Sequence, residues 1–583
     1  MTHLTPDDAF TAPLTHDADA RVWVHGSVDT IGYRSDAYAR ERLLPLVEAA
    51  SDLGSLSPEL EGLAGTWPAS YYLSSRRSNL LRPFEWNRDA RVLEVGAGCG
   101  SITRFLGETF ASVTAVEGEL HRAAIGASRT RDQDNVSVVC APFGALAPHD
   151  PFDIVVCVGV LEYSPLFNAS PDPIVETLRD FRAKLAPDGT LVLAIENKLG
   201  LKYFSGAAED HTSLPFDGVE GYVRSGGRGP RTLGKSELTA ALETAGFESL
   251  SFFYPFPDYK FPRAIATDDS LRRGGGEVAE FLTHTTARDY LRPASPLSFD
   301  QRAAWPGVIE NGLGGDLANS FLVVASPASS QRHVSAAWDL VGYNLAPRRP
   351  EYWTQNVAEG TASEQGTMTR RRLLPDRAPS PLVHMADSSS EPWRRGRTLA
   401  SAAMDAAMAR DSDHVAVAAA LQPWVDLLRQ SSDTRGMVPG QLVDTIPQNL
   451  VVTEDGLFPI DQEFAVDHDL ALHVVVIRGL RTFYTKLRAT TGVPRQHCRR
   501  PMFAEISRTA GRLGVDLGRP ELWDFCVFEA EFQHEVHGYA ASPRRTLTSM
   551  LLPPEAAGVR KATMRSRAWA GRVRRRAARA RRG

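Results

Sequence analysis

Cysteine is scarce in this chain, with five residues among 583. Cys99, Cys140, Cys157, Cys498 and Cys526 show no CxxC spacing. That excludes a disulfide framework and a cysteine-based zinc site, and predicts reduced thiols, three of them on or beside buried strands. Long apolar runs are lacking too, since nothing approaches the roughly 20 residues that a membrane-spanning helix needs. The opening MTHLTPDDAF has neither the basic start nor the apolar core of a secretory signal. A cytoplasmic location is therefore expected. What is present is a globular composition, 43% hydrophobic and 23% charged, on a chain long enough for about three or four domain-sized units. Charge is unevenly spread. The net value is −5, yet from Arg560 onward there are eleven arginines and lysines and no acid, which makes the rest of the chain strongly acidic.

The chain is organised around VLEVGAGCG, residues 92–100. An apolar strand breaks into glycines at 96, 98 and 100 and is followed by a helical pattern from Ser101. Glycine permits positive φ and close backbone approach, and a helix N-terminus offers unpaired N–H groups to electron-rich oxygens. A glycine-rich βα turn without ligand fits the same pattern. Six further strand-like runs follow, SVTAVE, VSVVC, DIVVCVGV, GTLVLAIE, SLSFFYPF and NSFLVVAS, with helical stretches interleaved. They predict a seven-stranded, doubly wound, Rossmann-like α/β sheet over residues 86–330, with ligands at the carboxyl ends of the strands. Glu117 ends the second strand, where a carboxylate accepts hydrogen bonds from both hydroxyls of a cofactor ribose. That holds equally for a nicotinamide cofactor and for S-adenosylmethionine.

Three details favour the latter: Glu94 before the first glycine, VGVLEYS after the fourth strand, and ENK after the fifth. With the glycine loop, these motifs resemble those of class I S-adenosylmethionine-dependent methyltransferases. The resemblance implies that Glu94 and Gly96-Ala97-Gly98 with Gly100 hold the methionine part and that Glu117 holds the ribose. The acid that often contacts adenine after strand three is replaced by Cys140-Ala141-Pro142-Phe143, so backbone or Phe143 must serve there. Upstream, residues 1–85 read as about twenty unstructured residues, a packing helix in AYARERLLPLVEAASDL, and a helical lid segment. In that segment Tyr72 or Arg77 touches a carboxylate, or else the arginines form an exposed basic turn.

Candidate acceptor residues lie in NKLGLKYFSGAAEDHT, where Glu209, Asp210 and His211 come together, His211 titrating in a useful range and Asp210 orienting it. A polar loop capping a turn is the alternative. Aromatics in GVEGY and YPFPDYKFP suit stacking on a sugar face or simple packing. The combination of these stretches resembles bacterial methyltransferases of surface-polysaccharide assembly, which implies a glycan or lipid-linked saccharide acceptor.

From about 335 to 550 a second constellation appears. Asp444 and Asn449 are five apart, and Asp461 follows a hairpin-like turn at Glu454-Asp455-Gly456. This spacing resembles the kinase-like phosphotransferases, which implies an α+β kinase-like domain with Asp444 as base, Asn449 and Asp461 as magnesium ligands, and ATP. The upstream half departs from that pattern: GTMTRRRLL offers Arg370, Arg371 and Arg372 where a lysine belongs, and Leu442 stands where a histidine belongs. An active kinase, a degenerate binding domain and an unrelated helical domain all remain open. The order of the two domains resembles enzymes that terminate O-antigen chains. The tail, 551–583, reads as a basic helix against anionic lipid on the inner face of the membrane, or as a solvated segment. No nucleic acid is expected, given the acidic body. A non-catalytic scaffold of polysaccharide assembly, docking a glycosyltransferase through the tail, is the rival reading of the whole chain.

Overall fold

The computed structural model describes residues 14–26, 39–145, 151–226, 229–283, 298–327, 333–363, 365–409, 412–490, 493–494, 497 and 499–552. The basic tail lies outside them from 553 on, and so does the region of Cys498. The chain forms two compact units, Met1–Leu345 with Thr354–Arg370, and Ala346–Trp353 with Arg371–Gly583.

The first unit is built on one sheet. Its strands up to Glu359 are β1 (Leu14–Asp17), β2 (Val22–His25), β3 (Arg91–Val95), β4 (Ser112–Glu117), β5 (Val136–Cys140), β6 (Phe152–Val158), β7 (Leu185–Glu196), β8 (Ser249–Phe256), β9 (Ala264–Thr267), β10 (Ser320–Ser326), β11 (Leu340–Asn344) and β12 (Thr354–Glu359). They lie in the order β1-β2-β5-β4-β3-β6-β7-β10-β8-β9-β11-β12. All seven apolar runs picked out above are strands here, β3 to β8 and β10. The sheet is larger than the seven expected, because a hairpin extends one edge and β9, β11 and β12 extend the other. The first twenty residues are not unstructured throughout: β1 pairs antiparallel with β2, whose Trp23 and Val24 add in parallel beside Val139 and Cys140 of β5.

The central pairs β5–β4, β4–β3, β3–β6 and β6–β7 are parallel. Strands covered on both faces read as continuous apolar runs, and in β3 every residue after Arg91 is buried. Beyond this parallel block the sheet reverses at β10, antiparallel to both β7 and β8, and the pairs β8–β9, β9–β11 and β11–β12 are antiparallel as well. Successive strands run outward one way from β3 to β4 and β5, then the other way from β6. The crevice at the carboxyl ends of β3 and β6 is therefore the topological switch point where such sheets bind ligands.

The helices that matter to this crevice have plain local causes. Helix α1 (Trp67–Leu73) starts at Thr66, whose hydroxyl accepts the Ala69 N–H, with Pro68 in the first turn. Helix α2 (Ser101–Thr109) follows Gly100. Helix α3 (Leu120–Arg129) is capped by Glu119, which accepts the Arg122 N–H at 2.9 Å. The predicted N-terminal packing helix is shorter than expected, a turn at Ala39–Leu43 leading into Leu44–Ala49. Leu43 and Val47 bury with Leu73, Cys99 and Ile125.

The second unit is mainly helical. Its principal helices are α4 (Leu399–Met408), α5 (His414–Gln430), α6 (Leu472–Ala489), α7 (Met502–Arg512) and α8 (Arg519–His537), with a hairpin of β13 (Leu450–Thr453) and β14 (Gly456–Pro459). Its core gathers Leu421, Trp424, Val475, Leu480, Phe483 and Phe525. The Trp424 indole N–H donates to the Thr445 carbonyl at 2.7 Å and so ties the loop bearing Asp444 to α5.

Candidate functional site

The glycine turn does what its residues dictate. Gly96, Gly98 and Gly100 have φ of +75°, +57° and +79°. The Gly96 and Ala97 N–H groups donate to the Val116 carbonyl at 2.8 and 3.0 Å, folding the turn back over β4. The three glycines are needed for different reasons. A Cβ at Gly96 would lie 2.3 Å from a methyl of Val160. A Cβ at Gly98 would meet no atom within 4 Å, so that glycine keeps a cavity open. A Cβ at Gly100 would lie 2.8 Å from the Gly126 Cα. Gly100 thus lets α2 approach α3, a packing reason for this glycine.

The cavity is a cleft of about 820 Å³ lined by Gly96, Ala97, Gly98, Glu94, Glu117 and Arg77, among others. Glu117 is buried and accepts the Gly98 N–H at 2.8 Å on one oxygen and the Glu119 N–H at 3.1 Å on the other. Each oxygen keeps a second lone pair. Glu94 accepts the Thr103 hydroxyl at 2.6 Å. Burial pushes its carboxyl up to about 8, with the Glu117 charge adding to the rise. The opposing charge of Arg77 is outweighed. Arg77 is buried, donates to the Lys260 carbonyl at 3.0 Å and lies 4.4 Å over the Tyr71 ring, so it is not an exposed basic turn. Of the segment expected to meet adenine, Ala141 and Pro142 line the cleft, as does the following Gly144. The Phe143 side chain lies outside the described residues.

The expected Glu209–Asp210–His211 trio is divided. Glu209 accepts the backbone N–H groups of His211 and Thr212 at 2.8 and 2.6 Å and the Tyr222 hydroxyl at 3.4 Å. It shapes the loop and does not line the cleft, which is the turn-capping alternative. Asp210 and His211 do line it, but Asp210 does not orient His211. Asp210 pairs with Lys202 at 2.8 Å and Lys260 at 3.0 Å, and Asp258 meets the same two ammoniums at 3.3 and 3.1 Å. The Nε2 of His211 faces Glu196 at 3.6 Å, and its ring packs edge-on against Tyr163 at 5.3 Å. Glu196, at the end of β7, also receives Lys260 and the Tyr259 hydroxyl, the latter at 3.3 Å. Glu162, on the turn after β6, closes the group: one ligating atom from each of Glu162, Glu196 and His211 lies within 4.8 Å of the others.

Electrostatics follow from this packing. Burial pushes the Glu162 carboxyl up to about 8, and the neighbouring Glu196 charge adds to the rise. Burial also opposes ionisation of Glu196, but Lys260 and His211 outweigh it and hold that carboxyl well below the usual range. Burial disfavours the imidazolium of His211, yet Glu196 and Glu162 raise it to about 9. His211 is therefore an ion-pair member at neutral pH, contrary to the expectation that it titrates there. Sequence reasoning singled out VGVLEYS and ENK as motifs but passed over their acids, and read YPFPDYKFP only for its rings. The available signal was an acid closing an apolar strand, as in GTLVLAIE. Two of the stacking candidates are internal: Tyr222 is buried, its hydroxyl 2.7 Å from that of Thr232, and Tyr259 is buried against Glu196.

In the second unit, Asn449 donates to the Asp444 carbonyl at 3.0 Å and the Asp461 carbonyl at 3.4 Å, so these three residues do come together. Asp461 has φ +53°, and its N–H donates to Glu391 at 3.0 Å. Asp444 is buried and accepts from Arg478 at 3.1 Å. Arg478 also pairs with Glu529 at 2.9 Å, and Glu529 with Arg481 at 2.5 Å. Arg478 thus ties down one oxygen of Asp444, while burial, with the charges of Glu463 and Asp461, still pushes that carboxyl up. Among the three predicted arginines, Arg372 binds Asp387 and the carbonyls of Glu351 and Pro375, which makes it a loop anchor.

Comparison with known proteins bears on the first unit. Residues 69–251 match the model of a methyltransferase domain family. The fold is similar to that of a putative methyltransferase of Haloferax volcanii solved with its Trm112 activator (15% identity, TM-score 0.29, 47% of this chain and 100% of that one). It is similar as well to the YcgJ protein of Bacillus subtilis (18% identity, TM-score 0.26, 44% and 99%). A third similar structure is phosphoethanolamine N-methyltransferase 2 of Haemonchus contortus, solved with S-adenosylhomocysteine (15%, 0.27, 46% and 56%). No curated protein matches the sequence. The family match and the strand order, rather than these distant likenesses, carry the assignment. Residues 69–251 are a class I S-adenosylmethionine-dependent methyltransferase domain.

Proposed function

We propose that the first unit methylates an oxygen of a bacterial glycan, either a sugar hydroxyl or a terminal phosphate. The cofactor, when bound, supplies a methyl group on a sulfonium already primed to leave. The chain's task is placement, which accounts for much of the rate in such a displacement. Glu117 offers its remaining lone pairs to the ribose hydroxyls, Glu94 faces the cationic methionine amino group, and Arg77 faces the carboxylate. The open space at Gly98 and the uncompensated carboxyl of Glu94 both fit that ligand.

The observation that carries the acceptor reading is an aromatic wall beside a buried charged cluster. Trp67, 38% exposed, lies 5.9 Å from Tyr71 and 5.3 Å from Phe261. Trp67, Tyr71, Asp210, His211 and Lys260 all line the cleft. Flat rings suit the C–H face of a sugar, and the ammonium and imidazole suit its oxygens. A phosphate oxygen needs no base, whereas a hydroxyl does.

For the second unit the Arg478 contact on Asp444 favours a kinase-like domain that binds the glycan end over one that phosphorylates it with ATP and Mg2+. This supports the scaffold reading for that unit alone. A cytoplasmic setting, a basic tail on anionic lipid and a glycosyltransferase neighbour complete the proposal. No helix among the described residues is long and apolar enough to cross a membrane.

Calorimetry with S-adenosylmethionine on the wild type and Glu117→Ala tests the cofactor site, and no heat from the wild type sinks the enzyme reading. Incubation with methyl-labelled cofactor and surface-polysaccharide extracts, with and without phosphatase, then tests the acceptor. Label in glycan is expected, and its loss on phosphatase treatment identifies a phosphate ester. Label confined to protein or small amines rejects the glycan.

A further inference from the structure

We infer that Glu162, Glu196 and His211 form a binding site for one divalent first-row cation of the Mn2+ or Zn2+ class, opening into the methyltransferase cleft. The three come from separate segments: the turn Leu161–Tyr163 after β6, the last residue of β7, and the loop beyond it. Among the described residues this is the grouping of three acidic, histidine or cysteine side chains that brings its ligating atoms within 4.8 Å of one another. With metal–ligand bonds of about 2.0–2.2 Å, atoms on opposite sides of a cation stand roughly 4.2 Å apart. The triangle closes on an ion with sub-ångström side-chain shifts.

The atoms that would ligate are the ones left without hydrogen bonds. Glu162 Oε2, Glu196 Oε2 and His211 Nε2 are buried and hydrogen-bonded to nothing, in residues where Glu162 and Glu196 are 1% and 0% exposed. At 3.6 Å the His211–Glu196 contact is an ion pair too long to be a hydrogen bond. Leaving such atoms unsatisfied is costly, and one cation satisfies all three together. The rest of each side chain is already fixed. Glu196 Oε1 receives Lys260 and Tyr259, Glu209 holds the His211 backbone N–H, and Tyr163 packs on the imidazole. Partners of this kind orient ligands without occupying the ligating atom.

Charge is consistent with this assignment. Lys202 and Lys260 are matched by Asp210 and Asp258 in a compact four-membered network. Lys260 is shared with Glu196 as well, so four carboxyl groups, those of Asp210, Asp258, Glu162 and Glu196, stand around two ammoniums, and a dication supplies positive charge that this set of acids lacks. One imidazole nitrogen and two carboxylate oxygens suit Mn2+ or Zn2+ better than Ca2+. Three protein ligands leave positions open toward the cleft, where an acceptor oxygen binds. That role rests on the proposed function; cation binding itself does not.

The test uses untagged full-length protein stripped with chelator, titrated with MnCl2 and followed by electron paramagnetic resonance, with ZnCl2 as competitor. Expected are one tightly bound Mn2+ per chain, displacement by Zn2+, and nitrogen hyperfine coupling from a single histidine. His211→Ala should abolish that coupling, and Glu162→Gln should weaken binding at least about tenfold, both with circular dichroism checked against the wild type. Should either variant fail to fold, the nitrogen coupling in the wild type decides alone. The inference is overturned if the stripped wild type binds neither ion at millimolar concentration, if its Mn2+ shows no nitrogen coupling, or if a folded Glu162→Gln binds as tightly. Heat with S-adenosylmethionine but no cation sinks this site and spares the proposed function; cation binding without that heat does the reverse.

Discussion

The two units treat buried charge in opposite ways. In the first, Glu94 is buried beside the Thr103 hydroxyl and the Glu117 charge, burial with that charge outweighs the hydroxyl and the opposing Arg77, and Glu162 and Glu196 each keep one oxygen without a hydrogen bond at the cleft. In the second, Asp444 and Glu529 are buried against Arg478, with Arg481 on Glu529. A buried charge costs several kcal/mol unless matched. A cavity that leaves its acids unmatched holds them for a ligand, whereas a loop whose acid is matched within the fold has used that acid for its own structure. Motif spacing alone would rank the two sites as equals; their counter-charges separate them.

The largest expected effect tests the second half of that contrast. Arg478→Met strands the buried Asp444 carboxyl and leaves Glu529 with Arg481 alone, so urea denaturation should show a loss of about 3–5 kcal/mol. A stable variant would mean that Asp444 is a poised base after all. Next, Glu117→Ala removes a charged acceptor of two ribose hydrogen bonds, each worth about 1.5–3 kcal/mol, so cofactor affinity should fall by about a hundredfold or more. Asp444→Ala should leave that affinity within about twofold, and a comparable loss there would erase the contrast. Gly96→Ala combines φ +75° with the Val160 clash; about 2–4 kcal/mol should be lost from the first unit's unfolding transition, read by differential scanning calorimetry.

The smallest effect is a pH dependence. Glu94 keeps its proton to about pH 8 in the folded, cofactor-free protein, against 4.5 for the ordinary group. The unfolded chain therefore binds fewer protons between those values, and this group's contribution to stability falls as pH rises through them. A cationic ligand draws the proton off. Cofactor affinity should climb by up to about tenfold per pH unit toward pH 8 and then level, with proton release visible by calorimetry in buffers of different ionisation heat. Glu94→Gln should flatten the profile, and an unchanged slope in that variant would reject the assignment.

Much of this was legible from residue order because its causes are local. Strands β3 to β8 and β10 announce themselves by apolar runs, the turn at 96–98 by glycine, and the ribose acid by its place at the end of β4. The site's chemistry was less so. Asp210 and His211 are neighbours in sequence and look like a pair, but adjacent side chains on a loop diverge, and the fold gives one to two lysines and the other to two glutamates. Gly100 reads as one more loop glycine until Gly126, 26 residues on, supplies the reason for it.

The sequence by itself determined the doubly wound sheet and the cofactor turn, since strand propensity and glycine conformation act over a few residues, and the resemblance of its motifs to those of methyltransferases pointed to the class of reaction. Only the tertiary structure decided which acids are free to act. Glu162, Glu196, His211 and Lys260 converge from positions up to about a hundred residues apart, and whether a carboxylate is poised or spent depends on the charge packed against it, which no local pattern encodes.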